Sequence, residues 1–300
     1  MINWKKISDS ISEATRTNFS IARASPISGG YTNQACHLEG RAEPGCKESE
    51  AHYFVKLDSA DKAAMFTAER AGLAALAATD TVRVPKVITV GIADQHAFLV
   101  LEYFDLCRNG NTELFGAQLA ALHRMHAAQF GWDQDNTLSL TPQINTWSCD
   151  WISFWREQRL GFQLELAAHN GYEGSLQILG HRVLDALPDL FAGYYPAASL
   201  LHGDLWAGNY AFLADGTPLI FDPAPYFGDR EADIAMTELF GGFDPGFYTA
   251  YHAAYPLDAG YATRKTLYNL YHILNHCNLV GSSYLTQAEE MMQSLLEEVS

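Results

Sequence analysis

The stretch from Asn209 to Asp222, NYAFLADGTPLIFD, sets two apolar arms, Tyr210–Leu213 and Pro218–Phe221, around Asp215-Gly216. An Asp-Gly pair between apolar runs is among the strongest short-range signals for a β-hairpin. Pro218 fits the first position of the returning strand. Pairing Leu213 with Pro218 and stepping outward puts Asn209 opposite Asp222. Directly opposed residues carry Cβ atoms about 4.5–5.5 Å apart. The two feet of this hairpin therefore have the reach to share one hard cation such as Mg2+, which takes oxygen ligands.

The segment just before the hairpin, LLHGDLWAGN (200–209), places Asp204 five residues ahead of Asn209. In phosphoryl transfer by kinases this D-x-x-x-x-N spacing joins a base to a metal-binding Asn, and a later Asp holds the metal on the phosphates. The pattern makes Asp204 the candidate catalytic base and Asn209 and Asp222 the candidate magnesium ligands. Gly203 and Gly208 permit tight turns beside the base. His202 reads as a packing residue, and Trp206 reads equally as a wall of the substrate pocket or as structural.

Such chemistry needs a cation for the phosphates. Lys56, in FVKLD, lies on a strand that otherwise looks buried, and Glu69 sits among apolar residues of a helix where a charge requires a partner. A Lys56–Glu69 ion pair is expected, with Arg70 facing solvent. Gly29 and Gly30 suit a turn whose backbone N–H groups lie over phosphates. The VLEYFD segment suits a connector between lobes, its Glu102, Tyr103 and Phe104 backbone meeting adenine. Trp147, Trp151 and Trp155 recur every fourth residue, a stripe that reads as core. Asp229 or its neighbours read as a helix cap, and Arg230 reads as a local pairing residue with substrate contact the alternative. His123 and His126 have a spacing some metal sites use, without an acidic or Cys partner placed with them.

Along the chain, helical patterns cover residues 1–20, 61–78, 112–129, 148–168, 173–186, 229–240, 246–254, 260–281 and 285–298. Strand signals fall around Tyr53–Val55, in VRVPKVITVG and in HAFLVLEYFD; beyond residue 112 the Asn209–Asp222 hairpin is the one clear β element. The pattern predicts an α+β chain of two lobes. A small antiparallel sheet with one long helix occupies residues 1–104 and binds nucleotide. A mainly helical lobe, residues 105–300, carries the catalytic loop, the metal hairpin and the substrate pocket. The net charge of −16 argues against nucleic acid or an anionic membrane as partner, and a polyphosphate would need divalent cations and placed Lys or Arg to approach. Five scattered Cys without a C-x-x-C pair, and an N-terminus lacking an apolar h-region, point to reduced thiols and a cytoplasmic location.

Taken together, ISGGYTN, FVKLD, AERAGLAAL, PQINTWSCDWISFWREQRL, LLHGDLWAGN, FDPAPYFGDREADIAMTELFGGF and FYTAYH resemble the fructosamine (ketosamine) kinase family, over nearly the whole chain. Related aminoglycoside and choline kinases share D-x-x-x-x-N and the later Asp, but not this Trp-containing context. The resemblance implies a protein-kinase-like fold and ATP-dependent phosphorylation of a small-molecule ketosamine, typically on its sugar 3-hydroxyl. Carried over by position, Asp204 is the base, Asn209 and Asp222 hold magnesium, and Lys56 with Glu69 orders the nucleotide phosphates. Tyr31 stands where some members carry a Cys after the Gly pair, so thiol regulation of that loop is not expected. The alternatives are a kinase for another hydroxylated compound (aminoglycoside, choline or sugar) and a catalytically idle nucleotide-binding protein.

Overall fold

The structure is a computed structural model and describes residues 1–27, 33–43 and 49–299. They divide into two units, one formed by Met1–Gly110 with Ala211–Phe221, the other by Asn111–Tyr210 with Asp222–Ser300.

In the first unit, Asn3 caps helix α1 (Trp4–Thr15) by accepting the Lys6 N–H, and the helix buries Ile7 and Ile11. The helical pattern expected over residues 1–20 stops early, at Arg16, which adopts a left-handed φ of 56°. Side-chain hydroxyls cause the reversal. Ser8 donates to the Phe19 carbonyl at 2.7 Å, and Ser12 accepts the Phe19 N–H at 2.9 Å. These bonds compete with helix continuation and fold the next strand back onto α1.

That strand is β1 (Asn18–Ile27), followed by β2 (Gln34–Glu43), β3 (Ser49–Ser59), helix α2 (Ala63–Ala78), β4 (Val87–Ala93) and β5 (His96–Glu102). The five strands form an antiparallel sheet in the order β1-β2-β3-β5-β4. Alternation along the strands separates two faces. Cys36, Leu38, Val55, Leu57, Phe98 and Val100 pack with α1 into one core. Lys56, registered between Ala35 and Leu99, lies on the other.

Helix α3 (Thr112–Leu122) opens the second unit, capped by Asn111. It is shorter than the expected 112–129, because the chain beyond it runs alongside residues 198–200. Ala127 donates to the Ala198 carbonyl and Leu200 donates to the Met125 carbonyl. Strands β6 (Asn136–Leu138) and β7 (Thr141–Gln143) form a small ribbon that the sequence pattern did not reveal. The expected 148–168 helix is real but broken. Helix α4 (Trp151–Trp155) and α5 (Phe162–His169) flank a π-helical segment, Arg156–Gly161, that turns Arg159 into the interior. Next come α6 (Ser175–Leu190), β8 (Ser199–Leu200), β9 (Tyr210–Phe212), β10 (Pro218–Ile220), β11 (Phe227–Gly228), α7 (Glu231–Leu239), α8 (Pro245–Ala254), α9 (Tyr261–Val280) and α10 (Leu285–Glu298).

Trp151 and Trp155 enter the core of this unit with Phe154, Leu164, Val183 and Leu274. Trp147 stays 37% exposed, because it precedes the Asp150 cap of α4 and so is not carried by the helix. Strands β9 and β10 pair around Asp215-Gly216 as expected, but the Leu213 N–H donates to the Thr217 carbonyl and Gly216, at φ +84°, donates to the Leu213 carbonyl. Leu213 therefore meets Thr217 rather than Pro218, and the pairing lies one residue off the register that set Asn209 opposite Asp222. Residues 211–221 of this hairpin belong to the first unit. Phe212 exchanges two backbone hydrogen bonds with Cys107, and Ile220 donates to the Arg83 carbonyl. Among the described residues, no helix is long and apolar enough to cross a membrane.

Candidate active site

The loop after β8 is held from below by one buried carboxylate. Asp233, in the first turn of α7, accepts the His202 N–H at 2.7 Å and the Gly203 N–H at 2.8 Å. Its Oδ2 also bonds His123 Nε2 at 3.1 Å, and His123 Nδ1 meets the Tyr251 hydroxyl at 2.8 Å. All of these side chains are buried. Burial pushes the Asp233 carboxyl up, but His123, His202 and the Gly203 N–H outweigh it and hold the group below its ordinary value. From sequence alone, Asp233 had no assigned role. The missed signal was a charge in the apolar run Ala232–Met236, which demands a partner by the argument used for Glu69. His123 likewise has an acidic partner that the sequence alone did not place.

Gly203 takes φ +83°, and a Cβ there would stand 2.0 Å from the Ala224 carbonyl oxygen. Only glycine allows that approach, which is locked further by the Ala224 N–H donating to the His202 carbonyl at 2.9 Å. The turn presents Asp204, half-buried, directly to Asn209. Asn209 Nδ2 donates to the Asp204 carbonyl at 2.8 Å and to its Oδ2 at 3.1 Å. Burial and the Asp222 carboxylate push the Asp204 carboxyl up to about 7, the Asn209 hydrogen bond pulling against them and Asp233 adding a further push. Asp222 is exposed and adopts a left-handed φ of 57°, an uncommon state for a non-glycine residue. Asp204, Asn209 and Asp222 thus lie together in the second unit.

Trp206 packs its indole over the backbone of Gly208, where a Cβ would come within 2.4 Å of the ring, and meets Phe240 edge to face. Arg230 is engaged locally: it donates to the Tyr251 hydroxyl and to the Tyr255 and Pro256 carbonyls, over the Tyr255 ring. Asp229 accepts the N–H of Glu231, the first residue of α7, from one position before the cap residue Arg230, and also the hydroxyls of Tyr194 and Tyr268. Arg159 donates to the Ile144 carbonyl and Asn145 and lies 4.0 Å over Tyr226.

In the first unit, Lys56 Nζ and a Glu69 carboxylate oxygen stand 2.6 Å apart, with both side chains nearly buried. The expected ion pair therefore forms. Glu102 donates its N–H to the Lys86 carbonyl and its carboxylate accepts from Arg83, while the Tyr103 ring stacks on His37 and Phe104 lies under Arg83. Gly29 and Gly30 lie outside the described residues.

The fold has solved counterparts. A crystal structure from Haemophilus somnus, assigned as a fructosamine-3-kinase, superposes with a TM-score of 0.85 at 30% identity, over 98% of this chain and 97% of its own. An aminoglycoside phosphotransferase bound to ADP superposes at 0.62 with 12% identity, over 96% of each chain, which shows the shared fold. The chain has the protein-kinase-like α+β fold, a small antiparallel sheet followed by a mainly helical part, and is a phosphotransferase acting on an alcohol acceptor. The profile of the fructosamine kinase family matches residues 3–298, and the chain belongs to that family. Relatives include a "Probable ketoamine kinase" of Synechocystis, 44% identical over 98% of this chain and 97% of its own. The chloroplastic "Protein-ribulosamine 3-kinase" of Arabidopsis thaliana is 38% identical over 92% of this chain and 83% of its own.

Proposed function

We propose that the protein transfers the γ-phosphoryl group of Mg·ATP to a small-molecule ketosamine of the fructosamine or ribulosamine type, on the sugar 3-hydroxyl, with Asp204 as base. The observation that carries this reading is the Asp204–Asn209 pair beside Asp222, on a loop clamped by Asp233. The names of the relatives supply the substrate class.

The donor set suits Mg2+. Asn209 commits Nδ2 to Asp204, which leaves its Oδ1 for a cation, and Asp222 contributes a carboxylate. Both are hard oxygen donors. Magnesium, when bound, neutralises charge on the phosphates. Asp204 Oδ2 accepts the proton of the substrate hydroxyl as that oxygen attacks the γ-phosphorus in line. Its raised carboxyl favours this, since a base with a pKa near the working pH is ionised yet still basic enough to take a proton. Asn209 and the Asp233 clamp keep the accepting oxygen in place, so positioning carries much of the rate.

In the first unit, Lys56 is assigned the nucleotide phosphates, with Glu69 orienting its ammonium group. The backbone of Glu102, Tyr103 and Phe104 is assigned the adenine. Because the Glu102 N–H is spent on Lys86, the donors left to the base belong to the residues after it. Gly29 and Gly30 are assigned to the phosphate turn by sequence. Trp206 borders the base and is assigned a wall of the sugar pocket. Arg230 serves this site through its hold on Tyr251, itself bonded to His123, rather than through substrate.

Incubation with Mg·ATP and synthetic ribulose-lysine and fructose-lysine, followed by NMR of the product, tests the reading. A phosphate on the sugar 3-oxygen is the expected result. Turnover of an aminoglycoside or choline with both ketosamines untouched would overturn it.

A further inference from the structure

On the Lys56 face of the five-stranded sheet, toward the end of the sheet remote from Lys56, three side chains with metal-ligand chemistry meet. They are His37 and Glu39 of β2 and His52 of β3. The register explains why. Glu39 pairs directly with His52, and His37, two residues along the same strand, stands diagonal to it on the same face. His37 Nε2 and His52 Nδ1 are 3.0 Å apart, and with a Glu39 carboxylate oxygen the three ligand atoms lie within 4.8 Å of one another. The His37 ring is fixed by a parallel stack on Tyr103, with centroids 3.8 Å apart and planes 8° from parallel. His37 and Glu39 are half-buried and His52 is exposed, so the cluster opens to solvent.

We propose that His37, Glu39 and His52 bind a divalent transition ion of the Zn2+ class, through two imidazole nitrogens and one carboxylate oxygen, with the remaining position open to water. Zn2+ holds nitrogen at about 2.0–2.1 Å in tetrahedral geometry, which spaces two nitrogen ligands roughly 3.3 Å apart. The observed gap needs to widen by only a few tenths of an ångström. Without the ion, one ring N–H points at the lone pair of the other ring. Moving that proton to the far nitrogen of the same ring frees a second lone pair, with no change of oxidation state. Arg23 approaches Glu39 at 3.7 Å, but its side chain is 74% exposed and free to swing into solvent. Two imidazoles select Zn2+ or its neighbours over Mg2+, which demands oxygen. The site is thereby chemically distinct from Asn209 and Asp222, and its existence does not depend on the phosphoryl-transfer reading.

The test is a titration of the purified protein with Zn2+ alone, in competition with a chromophoric chelator. His52→Ala and Glu39→Gln are titrated in parallel, each checked for an unchanged thermal midpoint. The wild-type chain is expected to bind one more Zn2+ than His52→Ala, whose affinity at this site falls by about 100-fold, and Glu39→Gln is expected to weaken it by about 10-fold. Cobalt substituted at the site is expected to show the visible absorption of nitrogen-ligated, low-coordinate Co2+ in wild type and to lose it in His52→Ala. Excess Mg2+ leaves the Zn2+ titration unchanged. Identical Zn2+ stoichiometry and affinity in wild type and both variants would overturn the proposal, as would a cobalt spectrum unaltered by His52→Ala.

Discussion

Replacing Asp233 with Ala removes the clamp under the catalytic loop without touching Asp204, Asn209 or Asp222. The carboxylate accepts two backbone N–H groups, from His202 at 2.7 Å and Gly203 at 2.8 Å, plus the His123 Nε2–H at 3.1 Å. The side chain of Asp233 is 2% exposed, so water does not replace the lost acceptor. Each orphaned buried donor costs about 1–3 kcal/mol. Two backbone donors alone give about 2–6 kcal/mol, and relief of the buried charge offsets part of that. The expected loss is about 3–4 kcal/mol for Ala. Asp233→Asn keeps one acceptor oxygen and turns a new N–H against the other donors, so about half that loss is expected. Urea unfolding at pH 7.5, read by Trp fluorescence, reports the midpoint shift at constant m. The same variant displaces Asp204, and a misplacement near 1 Å costs about 100-fold in rate. A change in stability below about 1 kcal/mol together with near-normal turnover would refute the clamp.

Asp204→Asn keeps the Asn209 hydrogen bond while removing a carboxylate that burial and Asp222 disfavour. A carboxyl raised to about 7 weakens the fold as pH climbs from about 4 to 7, so at pH 8 the variant is expected to be about 2 kcal/mol more stable, by urea midpoint. Lys56→Met strands a nearly buried Glu69 and is expected to raise the KM for ATP at least 10-fold and to lower the thermal midpoint, whereas a purely structural pair would shift only the midpoint. Gly203→Ala forces a Cβ against the Ala224 carbonyl at a positive φ; loss of activity with at least about 3 kcal/mol of destabilisation is expected by urea unfolding. Burial, with His276 adding to it, lowers the His272 imidazole to about 3. The unfolded chain then binds more protons between about pH 3 and 6.5, so stability falls as pH drops below 6.5, by up to about 1.4 kcal/mol per pH unit from this group. Unfolding midpoints of His272→Gln measured from pH 7 to 5 should show a shallower decline than wild type.

What the sequence displayed most openly were features with local, strong causes. Asp215-Gly216 between apolar arms specifies its hairpin whatever surrounds it, and a lone Glu69 among apolar residues announces its Lys56 partner. Asp204 and Asn209 are five residues apart, so their contact also needs only a short loop. The hidden features depend on distant segments. Strands β8 and β11, two residues each, exist because Leu201 reaches the Tyr226 carbonyl across the fold. Helix α3 ends at Leu122 because residues 125–127 find backbone partners near Ala198, which no helical pattern foretells. The π-helical turn follows from Arg159 seeking Ile144 and Asn145. Asp233 is the instructive miss: its partners His123, His202 and Gly203 come from two other parts of the chain, and only its unsuitability for an apolar run betrayed it.

The account is tested most directly by single-turnover phosphorylation of ribulose-lysine by wild type and Asp204→Ala, with ATP affinity measured in both. The expected result is an Asp204→Ala rate lower by at least about 100-fold with ATP affinity retained, the signature of a lost base on an intact nucleotide site. A rate within a few-fold of wild type would contradict it.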